Sequence, residues 1–111
     1  MASRKTPAPP AAAPSIAVKR QGAGLAFAVT VADARSGTRH RVTMREEDWA
    51  RWRALCESPE RCLEAAFTFL IDREPKEAIL AGFDFSVIAR YFPDFAEAFP
   101  AYLGRLRRGA E

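Results

Sequence analysis

The chain has 111 residues, close to half of them apolar and about a quarter charged, with a formal net charge of +3. That length suits a single soluble domain and leaves little room for the insertions that surround a deep cofactor pocket. The charge sits at the ends: Arg4 and Lys5 lie in the lead, and Arg105, Arg107 and Arg108 face only Glu111 at the close, so residues 16–104 hold twelve basic and thirteen acidic side chains. A uniformly basic nucleic-acid-binding body is therefore not indicated.

Residues 1–15, MASRKTPAPPAAAPS, contain four of the eight prolines. Proline lacks an amide hydrogen and alanine has little to bury, so this segment reads as a disordered, extended lead. It lacks the leucine- and phenylalanine-rich core of a secretory signal, and no apolar run in the chain is long enough to span a membrane.

Three strands follow. SIAVKR (15–20) is short and stops before the glycines of QGAG. LAFAVTVA alternates with period two, Leu25, Phe27, Val29 and Val31 against Ala26, Ala28 and Thr30, as expected of a strand with one buried face. DARSGT supplies turn residues, and RHRVTM alternates again, with His40, Val42 and Met44 inward and Arg39, Arg41 and Thr43 outward. The expected strands are 16–20, 25–32 and 38–44.

The period then changes. Glu46, Glu47 and Asp48 suit a first helical turn, and Trp49, Trp52, Leu55 and Cys56 share one helical face. Ser58 and Pro59 are a strong cap and first-turn pair for a helix over 59–73, with Cys62, Leu63, Ala66, Phe67, Leu70 and Ile71 as its inner stripe. Pro75 opens a further short helix, PKEAILAG, ended by Gly82. FSVIARYF forms the next, with Asp84 or Ser86 as its cap. Phe95, Phe99, Tyr102, Leu103 and Leu106 continue at helical spacing, and Pro100 predicts a break or kink at a cost of about 3 kcal/mol. Residues 105–111 read as a frayed basic tail. The fold class is thus α+β: a small antiparallel three-stranded β-meander, then four or five helices packed on one sheet face, forming a single domain over 16–104.

HRVTM (40–44), FTFLIDREPKEAIL (67–80) and FDFSVIARYFPDF (83–95) together resemble a family of small bacterial proteins. In that family an HRVTV-like strand precedes a phenylalanine-rich helix, then an EREPKESIL-like segment and an FDLSVI-RYFPEY-like close. The resemblance spans about 40–95. It departs at Ala78, where the family has serine, at Phe85, where it has leucine, and at Arg45, where a helix-capping serine is expected. It implies no activity, cofactor or ligand.

No residue set announces chemistry. His40 is the only histidine, on an apolar strand face, and no glycine-rich elbow accompanies it or either cysteine. The spacing of Cys56 and Cys62 matches neither a disulfide framework nor a zinc knuckle, which places the chain in a reducing cytoplasm. Phosphate-loop, dinucleotide, zinc-protease and calcium-loop motifs do not occur. The expectation is a non-catalytic protein-interaction domain without cofactor or metal, its partner an unknown protein or a second copy. Candidate contacts are Trp49, Trp52, Phe95, Phe99 and Tyr102, because ten large rings from Phe and Trp are many for a small core to hide. A less favoured alternative is nucleic-acid binding through Arg39, Arg41 and Arg45 on the outer strand face and the basic tails.

Overall fold

A computed structural model describes residues 14–109, with side chains through Arg105. The Pro/Ala-rich lead over residues 1–13 and the last two residues of the basic tail lie outside it. The architecture is α+β. Strands β1 (Ser15–Arg20), β2 (Ala26–Ala32) and β3 (Gly37–Thr43) form the antiparallel meander, within a residue or two of the expected bounds. The β1–β2 register sets Val18 opposite Val29, and the β2–β3 register sets Val29 opposite His40. Phe27, Val29, Val31, His40 and Val42 are buried on one face, while Ser15, Ala17, Lys19, Thr30, Arg39, Arg41 and Thr43 are exposed on the other.

Helix α1 (Glu46–Trp52) begins without a side-chain cap, as Arg45 in place of a serine or threonine implies, and its first turn holds Glu46, Glu47 and Asp48. Helix α2 (Pro59–Arg73) has the expected bounds, and Ser58 Oγ accepts from the Arg61 N–H at 3.2 Å. Its inner stripe is wider than expected, since Ala65 and Phe69 are buried beside Cys62, Leu63, Ala66, Phe67 and Leu70. The reason is that α2 is packed on two sides. Phe67 faces the sheet, against His40 and Phe83, whereas Phe69 faces the later helices, against Phe92, Phe95 and Tyr102.

The segment after Pro75 departs from expectation. Instead of a helix running to Gly82, Lys76–Ala78 form a single 3₁₀ turn, and the chain then extends as a fourth strand, β4 (Gly82–Asp84). This strand pairs parallel to β3, so the sheet is four-stranded and mixed, in the order β1-β2-β3-β4. Arg41 N–H donates to Ala81 O at 2.8 Å and Phe85 N–H to Thr43 O at 2.7 Å. Three side-chain links secure the same join. His40 Nδ1 lies 2.7 Å from Leu80 O, Thr43 Oγ1 donates to Asp84 Oδ1, and Lys76 Nζ lies 2.8 Å from Asp33 Oδ2.

Helix α3 (Val87–Tyr91) is short, and Asp84 Oδ2 accepts from the Ser86 amide and hydroxyl just before it. Helix α4 (Phe95–Gly109) passes through Pro100 unbroken and reaches into the basic stretch expected to fray. Pro100 is exposed, while Phe95, Phe99 and Leu103 on the opposite side are buried. Burying such side chains is worth roughly 1.5–3 kcal/mol each, enough together to offset the lost hydrogen bond.

The Lys76 ammonium is buried between Asp33 and Glu77, joining the β2–β3 turn to the 3₁₀ turn. Its hydrogen bond, with amide donors from Arg35 and Ser36, holds the Asp33 carboxyl well below the usual carboxylate range. A depressed carboxylate contributes stability above its unfolded pKa, and that contribution fades as pH falls toward the folded value. Asp33→Asn keeps the turn's acceptor and removes the charge. It should therefore lower the thermal midpoint at neutral pH, with the gap to the native protein narrowing below about pH 4. Thermal melts of both proteins across acidic pH check this.

Candidate functional site

The expected aromatic docking stripe is largely interior. Trp52, Phe95 and Phe99 are buried, and they pack edge-on or stacked: Trp52 on Phe99 at 4.9 Å and Phe95 on Phe99 at 4.6 Å between ring centroids. Trp49 and Tyr102 are half-buried. Arg53 sits over the Trp49 ring, and Tyr102 donates its hydroxyl to Asp72 Oδ2 at 2.6 Å. The helical spacing that puts these rings on one face also turns that face toward α1, α2 and Phe85, so as a set they form core and not a surface.

His40 is committed to structure. A carbonyl only accepts, so Nδ1 carries the hydrogen toward Leu80 O, and in the neutral ring Nε2 accepts from the Thr38 hydroxyl at 2.8 Å. Neither partner is a thiol or a carboxylate. Cys56 and Cys62 are free and buried side by side; contact with Cys56 and burial push the Cys62 thiol up, away from thiolate character. Among the described residues no three His, Cys, Asp or Glu side chains gather as metal ligands require.

What the structure does assemble is a groove of about 350 Å³, in the size range of small-ligand and side-chain pockets. Its walls come from four places in the chain: Leu70 and Glu74 at the end of α2, Ala78, Ile79 and Leu80 at and after the end of the 3₁₀ turn, Phe83 on β4, and Val87, Ile88, Tyr91 and Phe92 on and after α3. Pro75 ends α2 and the docking of β4 turns the chain back, which opens the space between them. Leu80 and Tyr91 are 45% and 65% exposed, two of the three large apolar side chains that stand out from the described surface. Glu74 is the one charged residue in the lining, and burial alone raises its carboxyl above the ordinary value. The groove is thus mostly apolar, with the Glu74 carboxyl and the Tyr91 hydroxyl as the polar side-chain groups of its lining.

The candidate arginines divide. Arg39 and Arg41 lie exposed on the outer face of β3. Arg45 is engaged by Glu47, Asp48 and Asp84 at 3.4, 3.5 and 3.9 Å, so its charge is already answered within the fold. Neither Leu80 nor Tyr91 stands out in the sequence, because exposure depends on where β4 docks. The density of the 73–95 stretch is the signal that could have located the groove.

Among the described residues no helix is long and apolar enough to cross a membrane. Comparison with family models, curated proteins and solved structures finds no match to this chain.

Glu74 provides a check on the groove's dryness. A carboxyl raised by burial contributes most to stability below its unfolded pKa and loses that contribution as pH rises through the folded value. Glu74→Gln removes the cost of holding the charged form, so it should raise the thermal midpoint at neutral pH and leave it nearly unchanged below about pH 4. Paired melts at the two pH values measure the difference.

Proposed function

We propose that this protein is a non-catalytic interaction domain that receives a short segment of a partner protein in the groove between α2, β4 and α3. The observation that carries the reading is the outward projection of Leu80 and Tyr91 around an apolar trough whose lining has one charge, Glu74. A segment presenting an apolar side chain to Phe83 and Ile88, with a Lys or Arg nearby to meet Glu74, complements it in shape and sign. The burial of His40, with both ring nitrogens occupied, and of the Cys62 thiol supports a binding role over a catalytic one. Two free buried thiols favour a reducing compartment such as the cytoplasm. A second copy of the chain is the other occupant the surface admits.

Selection of displayed random peptides against the full chain tests the proposal. Selected sequences should share an apolar anchor with a basic neighbour, and their binding should fall about tenfold or more with Tyr91→Ala, Leu80→Asp or Glu74→Lys, the loss expected when one anchor residue is removed. An acidic consensus, or binding indifferent to all three substitutions, would contradict it. Light scattering on a sizing column shows whether the free protein is monomeric, and a dimer dissolved by Leu80→Asp would assign the groove to self-association.

A further inference from the structure

The outer face of the sheet is a second surface, independent of the groove. Register places Lys19, Ala28, Arg41 and Gly82 in one row across the four strands, with Ala17, Thr30 and Arg39 in the next. Three long cations thus rise from a floor of alanine, threonine and glycine. Lys19, Arg39 and Arg41 are exposed and have no carboxylate partner among the described residues. Arg20, Arg45, Arg61, Arg73, Lys76 and Arg105 are ion-paired, and Arg35, Arg51, Arg53 and Arg90 are also without a carboxylate partner among the described residues. What sets Lys19, Arg39 and Arg41 apart is that strand register gathers them on one face.

Protection of a sheet edge is the ordinary reason for charged residues on an exposed strand. It does not explain Arg41, where β3 is paired with β2 on one side and β4 on the other; β4 reaches only Arg41–Thr43, so Arg39 has β2 alone beside it. The two arginines line a shallow depression of about 510 Å³ with Gln21, Ala28 and Gly82. They stand two residues apart on one strand, roughly 7 Å, a spacing comparable to that of successive phosphates along a nucleic-acid strand. Asp84, at the Thr43 end of the same face, is already held by Thr43, Ser86 and Arg45.

We propose that this face binds the phosphodiester backbone of nucleic acid, with Lys19, Arg39 and Arg41 each meeting a phosphate. The face has no aromatic ring, so it lacks the platform on which bases stack, and recognition is of the backbone and independent of sequence. It also has no large apolar side chain to insert into a lipid surface, which favours nucleic acid over a membrane.

Fluorescence anisotropy with labelled single-stranded RNA, single-stranded DNA and duplex DNA, each in two unrelated sequences, is the test. Affinity should be the same for both sequences of each type. On a single strand its logarithm should fall with the logarithm of salt with a slope of about −2, as three neutralised phosphates give. Arg39→Gln with Arg41→Gln should weaken binding about tenfold or more at low salt. Arg51→Gln with Arg53→Gln removes the same charge from α1 and the residue after it, and should change little. Amide shifts of the native protein on titration should cluster on β1, β2 and β3, a readout that needs no variant. No binding at low salt, equal losses in both double variants, shifts confined to the groove, or binding only to anionic vesicles would each overturn the proposal.

Discussion

The structure depends on the docking of the 75–85 segment against strand β3. The parallel ladder of Arg41–Thr43 with Gly82–Asp84 is extended at its ends by two further backbone hydrogen bonds, Arg41 N–H to Ala81 O and Phe85 N–H to Thr43 O. The His40 ring, the Lys76–Asp33 pair and the Thr43–Asp84 bond secure it from three directions. Pairing on this side makes β3 an interior strand. It also sets Phe83 over Phe67, positions Leu80 at the surface, and brings Phe85 to Phe95 and Phe99 at the centre of the helical layer. A short strand of three residues fixes the sheet edge, one wall of the groove and the seating of α4 together.

The two faces of β3 have different roles because strand side chains alternate. His40 and Val42 point into the core, where the imidazole joins two chain segments through hydrogen bonds and also contacts Phe67. Arg39 and Arg41 point to water with no internal partner among the described residues. Every other charged link near the join is compensated: Lys76 by Asp33 and Glu77, Arg45 by Glu47, Asp48 and Asp84. The charges that join chain segments are thus paired, while Lys19, Arg39 and Arg41 stand bare together on the outer sheet face, the arrangement that supports the proposed phosphate contact.

Local signals were legible and long-range ones were not. Alternation in LAFAVTVA and RHRVTM located β2 and β3 and the faces of residues 26–31 and 39–43 on them. Ser58 and Pro59 located the start of α2, since an acceptor followed by a pre-set φ is a signal contained in two residues. β4 was hidden because three residues are too few to show a period, and its partner strand lies about forty positions earlier in the chain. Pro100 misled for the opposite reason: a sound local rule was overridden by the burial of Phe95, Phe99 and Leu103. The same gap explains the sites. Counting rings identified an aromatic surplus but not its location, and only the packing shows that α2 absorbs it on two sides. Lys19 joined Arg39 and Arg41 through strand register, and Arg45 left them through the approach of Asp84.

Amide hydrogen exchange on the native protein tests the docking of 75–85 on β3 most directly. If the parallel pairing holds, the Arg41 and Phe85 amides exchange as slowly as the amides bonded between β2 and β3, opening only with the fold as a whole. If those two amides exchange at the rate of an unprotected chain while the β2–β3 ladder remains protected, β3 is an edge strand, and the groove and the interior position of Arg41 fall with that pairing.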